Sequence, residues 1–319
     1  MARRKKGRKV HGWLILDKPY DFGSTEAVSR LKWFGEAQKA GHAGTLDPLA
    51  TGILPIAFGE ATKTVPFVQD GLKTYRFTAR WGERTATDDR EGEVVQRSEV
   101  RPDKAAIEAA LPQFTGLIDQ VPPQFSAILV GGERAYDLAR DGETPELKSR
   151  QVDVRTFELI EMPDQDQAVF EAVVGKGTYV RALVRDLAEA LGTVAHVAAL
   201  RRTRVGPFGE DQAVTFEEVT GAPATERLGP EARDHERFDD TLVPLGDAMA
   251  EYPKEKVNAP EAARLRSGQG IVLTPNRARV LRAGEVGALD TVLAEDDHGA
   301  VALCRLEGLA LAPVKVFQL

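Results

Sequence analysis

Cysteine occurs once in 319 residues, at Cys304, so no disulfide and no thiolate metal cluster can be built within the chain, and a reducing compartment is the expected home. The five histidines, His11, His42, His196, His235 and His298, are scattered, and no HExxH or CxxC spacing exists to hold zinc. No metal and no cofactor are expected. Long apolar runs are missing too: nothing approaches the roughly 20 residues that span a bilayer. The stretch "WLIL" behind the basic N-terminus is too short for the core of a secretory signal. A cytoplasmic chain without a membrane partner is the expectation. There is no GxGxxG in a strand-to-helix setting and no GxSxG. "GEATKT", Gly59 to Thr64, lacks the glycine before the lysine of a phosphate loop. The usual signals of nucleotide cofactors and of serine hydrolases are therefore absent.

What is present is an ordinary folding composition, 42% hydrophobic, 29% charged and 7% aromatic, in a chain long enough for two domains. The net charge of −7 is unevenly placed. Between Pro207 and Glu251 lie 12 acidic and three basic residues, while six of the first ten residues are Lys or Arg. Further bases gather in "RRTR", Arg201 to Arg204, and at Lys176, Arg181 and Arg185. Such charges are either solvated or attract a phosphate backbone.

Along the chain, "GWLILDKP" predicts a buried strand over Trp13 to Leu16, stopped by Pro19. A helix follows, capped by Ser24, with Ala27, Val28, Leu31 and Phe34 on one face and Gly35 at its end. A long loop, "AGHAGTLDPLATGILP", then leads into a buried strand at "ILPIAF". "TYRFTARWG" alternates, Tyr75, Phe77, Ala79 and Trp81 facing inward and Arg76 and Arg80 outward. Short helices are predicted at Ile107 to Leu111 and Arg134 to Arg140, and strands at Val152 to Leu159 and Ala168 to Val174. "KGTYVRALVRDLAEALG" is the clearest helix: Thr178 as cap, Val180, Leu183, Val184, Leu187 and Leu191 as stripe, Gly192 as stop. At about 100° per residue, Arg181 sits at the border of that stripe. Thr215 and Glu218 fit a capping box. The acidic stretch of about 221–240, with Gly221, Pro223, Gly229 and Pro230, reads as a linker or surface insertion. From about Tyr252, short strands near "GIVL", "VGALDTVLA" and "AVALCRLEG" predict a small all-β module. Without a regular βαβ rhythm, the fold class is α+β, with a mixed, largely antiparallel sheet and flanking helices. The domains are expected at 11–250 and 251–319, behind a basic disordered tail of 1–10.

The loop at residues 40–55 carries Gly41, Gly44, Gly52, Pro48 and Pro55, yet one carboxylate, Asp47, and one imidazole, His42. Asp-Pro is a normal turn opener. The same arrangement also presents a lone acid on a rigid loop beside glycines that allow close approach of a ligand. Glycoside hydrolysis normally uses two acids. An isomerisation that breaks a glycosidic bond and remakes it to the same base needs neither water nor metal, and one nucleophilic or charge-stabilising carboxylate suffices.

"GHAGTLDPLATGILP", followed in order by "GEATK", "KTYRF", "TATDDREGE", "QVPPQFSAI", "GERAYDLAR" and "GKGTYVRALVRDLAEALG", resembles the bacterial tRNA pseudouridine synthase B family over about residues 11 to 215. The resemblance implies the pseudouridine synthase fold and isomerisation of the T-loop uridine, position 55 of tRNA. It makes Asp47 the catalytic aspartate, acting at ribose C1′ or as a base in a glycal route. Tyr75 becomes the aromatic ring stacked on the base, aiding C5 deprotonation. It makes Arg181 the partner of the aspartate and Asp89 a second acid on that arginine; a nearby cation favours the ionised carboxylate. His42 holds the T loop open after the uridine is extruded, Lys18 and Leu200 line the uridine pocket, and Gly44 and Thr45 lie in the substrate-binding loop. The C-terminal module resembles, by position, the family's PUA-type RNA-binding domain. The implied partner is the tRNA T arm, bound by a monomer. Leu129 stands where the family commonly has lysine. The competing readings are a non-catalytic tRNA-binding or folding module, a guide-RNA-dependent pseudouridine synthase subunit, and a base-excising glycosylase. Singly, each residue has an ordinary role in a core, turn or surface; their ordered co-occurrence carries the resemblance.

Overall fold

A computed structural model of the chain describes residues 7–126, 129–130, 133–134, 147–283 and 291–319. It divides into two compact units. The first comprises the residues up to Asp47, Ile53–Gln69 and Gly206–Leu319; the second comprises Pro48–Gly52 and Asp70–Val205.

In the second unit, strand Lys73–Trp81 lies between Ala195–Val205 and Gln167–Val174, followed outward by Arg150–Asp164 and Gly116–Gln120. These pairings are antiparallel. Thr51 and Gly52 join Arg201 and Arg202 in parallel, and Asp89 forms an isolated parallel bridge with Val197. The alternation predicted for Tyr75 to Trp81 is observed: Phe77, Ala79 and Trp81 are buried, and Arg76 and Arg80 are exposed. Phe77 stacks on Phe170 at 5.7 Å between ring centroids and lies 5.8 Å from Phe157. Helix Val180–Ala190 lays Val180, Leu183, Val184 and Leu187 on that core. A helix at Lys104–Ala110, capped by the Asp103 side chain, covers the region predicted around Ile107. Of the helix predicted over Arg134 to Arg140, residues 135–140 lie outside the described residues; Arg134 itself pairs with Leu129 in a short strand.

The first unit opens with strand Gly12–Lys18 and helix Ser24–Phe34. Gly23, not Ser24, holds the N-cap position, and no side chain caps the helix. The stretch expected as one long loop is a β-hairpin. Ala40–His42 pairs antiparallel with the far end of Thr51–Phe58, placing His42 opposite Ile56. The periodicity was too short to show, because the first strand has three residues and one is glycine. The predicted capping box is formed: Thr215 Oγ1 accepts from Glu218 N–H at 3.1 Å, and Thr215 N–H donates to Glu218 at 2.7 Å. The acidic stretch is anchored rather than loose. Phe238 is fully buried against Phe34 and Phe58, Arg233 lies 4.2 Å over Trp33 and pairs with Glu36, and Arg30 donates to the Ala224 and Glu226 carbonyls.

Within the same unit the C-terminal β domain is a five-stranded sheet in the order Lys254–Lys256, Thr291–Asp296, Gly299–Glu307, Ala310–Val316, Ile271–Val272. It has its own core, including Leu265, Leu281, Val292, Val301 and Leu311. Two helices, Ala259–Arg266 and Pro275–Ala283, belong to it; their short amphipathic stripes were hidden among turn residues. "GEATK" receives the end of the chain: Lys63 donates to the Val316 carbonyl at 2.7 Å, Lys315 to the Lys63 carbonyl at 3.2 Å, and Gln318 N–H to Glu60 at 2.9 Å. No helix among the described residues is long and apolar enough to cross a membrane.

Candidate active site

The expected site residues fall into two groups, one in each unit. In the first, Asp47 is partly buried on the hairpin loop, Thr45 is exposed, and Gly44 takes a φ of +110°, a conformation that favours glycine. The loop is tied at both ends. Ala43 N–H donates to the Pro55 carbonyl at 2.9 Å. Leu46 exchanges two hydrogen bonds with the Ser24 hydroxyl, donating its N–H at 2.9 Å and accepting at its carbonyl at 2.7 Å. His42 ends the first hairpin strand. Lys18, expected to line a pocket, is fully buried at the end of its strand, and its ammonium donates to the Pro19 and Phe22 carbonyls at 2.9 and 2.7 Å. Those bonds fasten the turn that leads into helix Ser24–Phe34.

In the second unit Tyr75 and Leu200 occupy adjacent strands, since Leu200 pairs with Phe77 and Tyr75 with Arg202. Both are partly buried and pack on the aromatic core. Gly52 completes the edge beside them. Its φ is +98°, and a Cβ there would stand 2.2 Å from the Arg202 carbonyl oxygen, so only glycine permits this approach of the two strands.

Arg181 and Asp89 are brought together. Their side chains are 7% and 12% exposed and 3.3 Å apart. The guanidinium also donates to the Thr87 and Phe125 carbonyls, each at 3.0 Å. Asp89 accepts from Glu91 N–H at 3.0 Å and from the Thr87 hydroxyl at 2.5 Å. A planar guanidinium with five donors suits such a junction of loop carbonyls and carboxylate.

One helical turn on, Arg185 repeats the arrangement. It lies 3.4 Å from Asp88, 2.8 Å from Asp186, and donates to the Val121 carbonyl at 2.7 Å. Burial raises the carboxyl pKa of Asp88 and of Asp186 against the pull of Arg185. The sequence grouped Arg185 with bases that are either solvated or drawn to phosphate; it is buried among carboxylates and a carbonyl instead. Its signal was the i, i+4 spacing "RALVR", which puts both arginines on one helix face. The helix start also differs from expectation. Tyr179, not Thr178, is the N-cap, and Gln120 bonds both its N–H, at 2.8 Å, and its carbonyl, at 3.2 Å. No local pattern announced this brace on the N-cap residue from a side chain 59 residues away. Lys73, in the "KTYRF" motif, is buried, and desolvation followed by the neighbouring Arg202 charge pushes its ammonium down to about 8.

Compared with known proteins, residues 32–180 match the TruB family pseudouridylate synthase (N terminal domain), and residues 181–250 match the tRNA pseudouridylate synthase B C-terminal domain. The chain is 53% identical over 319 residues, all of both chains, to the tRNA pseudouridine synthase B of Caulobacter vibrioides. The chain belongs to the TruB family. The tRNA pseudouridine synthase B of Agrobacterium fabrum is another TruB relative, 56% identical over 273 residues that make up 85% of each chain. Among solved structures, a Cbf5-Nop10-Gar1 complex contains a chain 26% identical with a TM-score of 0.70, covering 97% of this chain and 85% of that one. An H/ACA ribonucleoprotein bound to a substrate RNA containing 2′-deoxyuridine aligns at 22% identity and a TM-score of 0.71, over 100% and 92% of the two chains. The pseudouridine synthase fold expected from the sequence is thus the fold of this TruB chain, with its large mixed sheet, helices and C-terminal β domain.

Proposed function

We propose that this TruB-family chain is an isomerase that converts uridine to pseudouridine in tRNA, at position 55 of the T loop. The N1–C1′ bond breaks, the base turns, a C1′–C5 bond forms, and the proton lost from C5 is balanced by one gained at N1. Redox and hydrolytic partners are not required. The observation that supports this reading most is the family match, through 53% identity along the whole chain to a tRNA pseudouridine synthase B.

The base of a stacked nucleotide hides C1′ and C5, so the uridine must be extruded, at a cost of a few kcal/mol. Tyr75 then offers an aromatic face in place of lost stacking and assists removal of the C5 proton. Asp47 acts either as a nucleophile at C1′ or as the base of a glycal route, and both routes need its ionised form. Arg181, oriented by Asp89, is the basic residue assigned to act with Asp47. His42, Gly44 and Thr45 meet the opened T loop, and Lys18 and Leu200 shape the pocket. We assign catalysis to residues 11–250 and a PUA-type RNA contact to 251–319. The chain works as a cytoplasmic monomer that recognises the shape of the T arm, while Lys and Arg contacts to phosphate set register.

The test is release of tritium from C5-labelled uridine in unmodified tRNA, with Asp47→Ala compared. Turnover should vanish, with tRNA affinity held within about tenfold, or roughly 1.4 kcal/mol. Wild-type turnover in the variant would end the proposal. An abasic product would turn the reading to a glycosylase, and binding without turnover in the wild type to a non-catalytic module.

A further inference from the structure

Ser24 begins helix Ser24–Phe34 and is 4% exposed. Its hydroxyl does not cap that helix. It donates to the Leu46 carbonyl at 2.7 Å and accepts the Leu46 N–H at 2.9 Å. A hydroxyl has one proton and two acceptor sites, so both bonds form together. They hold two consecutive peptide planes: the one entering Leu46, and the one joining Leu46 to Asp47. Leu46 lies in no helix or strand and is 3% exposed. An apolar side chain at position 24 would leave both of these buried groups without this partner, and a buried polar group left unsatisfied destabilises the segment that carries it.

We propose that Ser24 is a positioning residue for Asp47, setting the main-chain path from which that carboxylate is presented. The proposal rests on the reading of Asp47 as the catalytic acid. The packing around the loop supports it. Gly44 places a φ of +110° two residues before Leu46, where the chain turns sharply, so the anchor holds the peptide between that turn and the acid. Leu46 itself packs inward, while Thr45 is exposed and Asp47 only partly buried; the bonded residue anchors the loop between an exposed residue and a partly buried one. The hydroxyl is occupied by the loop's own backbone, so its loss should affect the chemical step and not the affinity for RNA.

The test uses the full chain with Ser24→Ala, Ser24→Thr and Ser24→Cys, measuring single-turnover tritium release, KM, tRNA Kd and Tm. A misplacement of about 1 Å at a reacting group lowers rate by about 100-fold. Ser24→Ala should therefore lose about 10- to 100-fold in single-turnover rate while KM and Kd move less than about threefold. Ser24→Thr, which keeps a hydroxyl, should recover most of the rate, and Ser24→Cys, with a weaker donor, should fall between. If the alanine variant does not fold, the Thr and Cys ranking decides. A wild-type rate in Ser24→Ala overturns the proposal, as does a Thr variant that folds normally yet is as slow as Cys. Asp47→Ala run in parallel separates the two ideas. If that variant is inactive while Ser24→Ala is unaffected, only the positioning role falls; if it is active, the assignment of the acid itself falls.

Discussion

The Arg181 guanidinium lies among two loop carbonyls and the Asp89 carboxylate, nearly out of water. Removing one partner of a buried pair leaves the other charged and undersolvated. Arg181→Ala should cost about 3 kcal/mol in urea unfolding, the low end for such pairs, because Asp89 keeps its bonds from Glu91 and Thr87. Arg181→Lys keeps the charge but not the planar fork, and should recover less than half of that loss. An unchanged unfolding midpoint for the alanine variant would contradict the pairing. Lys73 bears on pH. Its ammonium is pushed from an ordinary 10.5 down to about 8. Between those values the unfolded chain holds a proton that the folded chain has released, so stability rises with pH across the window. Below about 8 the folded protein carries the full cost of the buried charge, about 3 kcal/mol at 1.36 kcal/mol per unit. Urea midpoints should climb between pH 8 and 10 in the wild type, relative to Lys73→Met, and the difference between the two should be flat from about pH 6 to 7.

At the scale of elements, the hairpin and the Val180–Ala190 helix each depend on a distant residue. The hairpin strand reaches its neighbour because position 52 has no side chain: a Cβ would meet the Arg202 carbonyl oxygen at 2.2 Å, and the φ of +98° is strained for any other residue. Gly52→Ala should lose about 2–4 kcal/mol, combining backbone strain with displacement of a strand. Circular dichroism melts measure it, and a melting temperature within a degree of wild type would refute the close approach. The helix's stripe, its glycine stop and the border position of Arg181 were legible locally, because 3.6-residue periodicity and capping act within a few residues. The brace on its N-cap residue Tyr179 was not, since Gln120 comes from a distant strand. Ser24 was visible as a helix-start serine. That its hydroxyl bonds Leu46, 22 residues along, follows only from how the strand, helix and hairpin pack.

At the scale of the whole molecule, charge distribution outweighs net charge. The chain is −7 overall, but the acidic segment alone exceeds that deficit and is fastened to its own unit through Phe238, Arg30 and Arg233. Affinity for tRNA should therefore fall by about tenfold or more as salt rises from about 50 to 200 mM, as expected when several phosphates are neutralised. Replacing Glu226, Glu231 and Glu236 by Gln should change affinity less than about threefold; a filter-binding titration at two salt concentrations checks both. A salt-independent affinity would remove the electrostatic account. The sequence by itself determined the strands with clean alternation, the two long helices, the lone carboxylate on a glycine-rich loop, and through ordered motifs the family. Those features are written in neighbouring residues, where periodicity, turn chemistry and motif order operate. Tertiary structure alone decided which other buried polar groups find one another: Arg185 with Asp88, Gln120 with Tyr179, Ser24 with Leu46. Buried donors and acceptors must be satisfied, and a chain can satisfy them from any distance in sequence, so no local pattern specifies the partner.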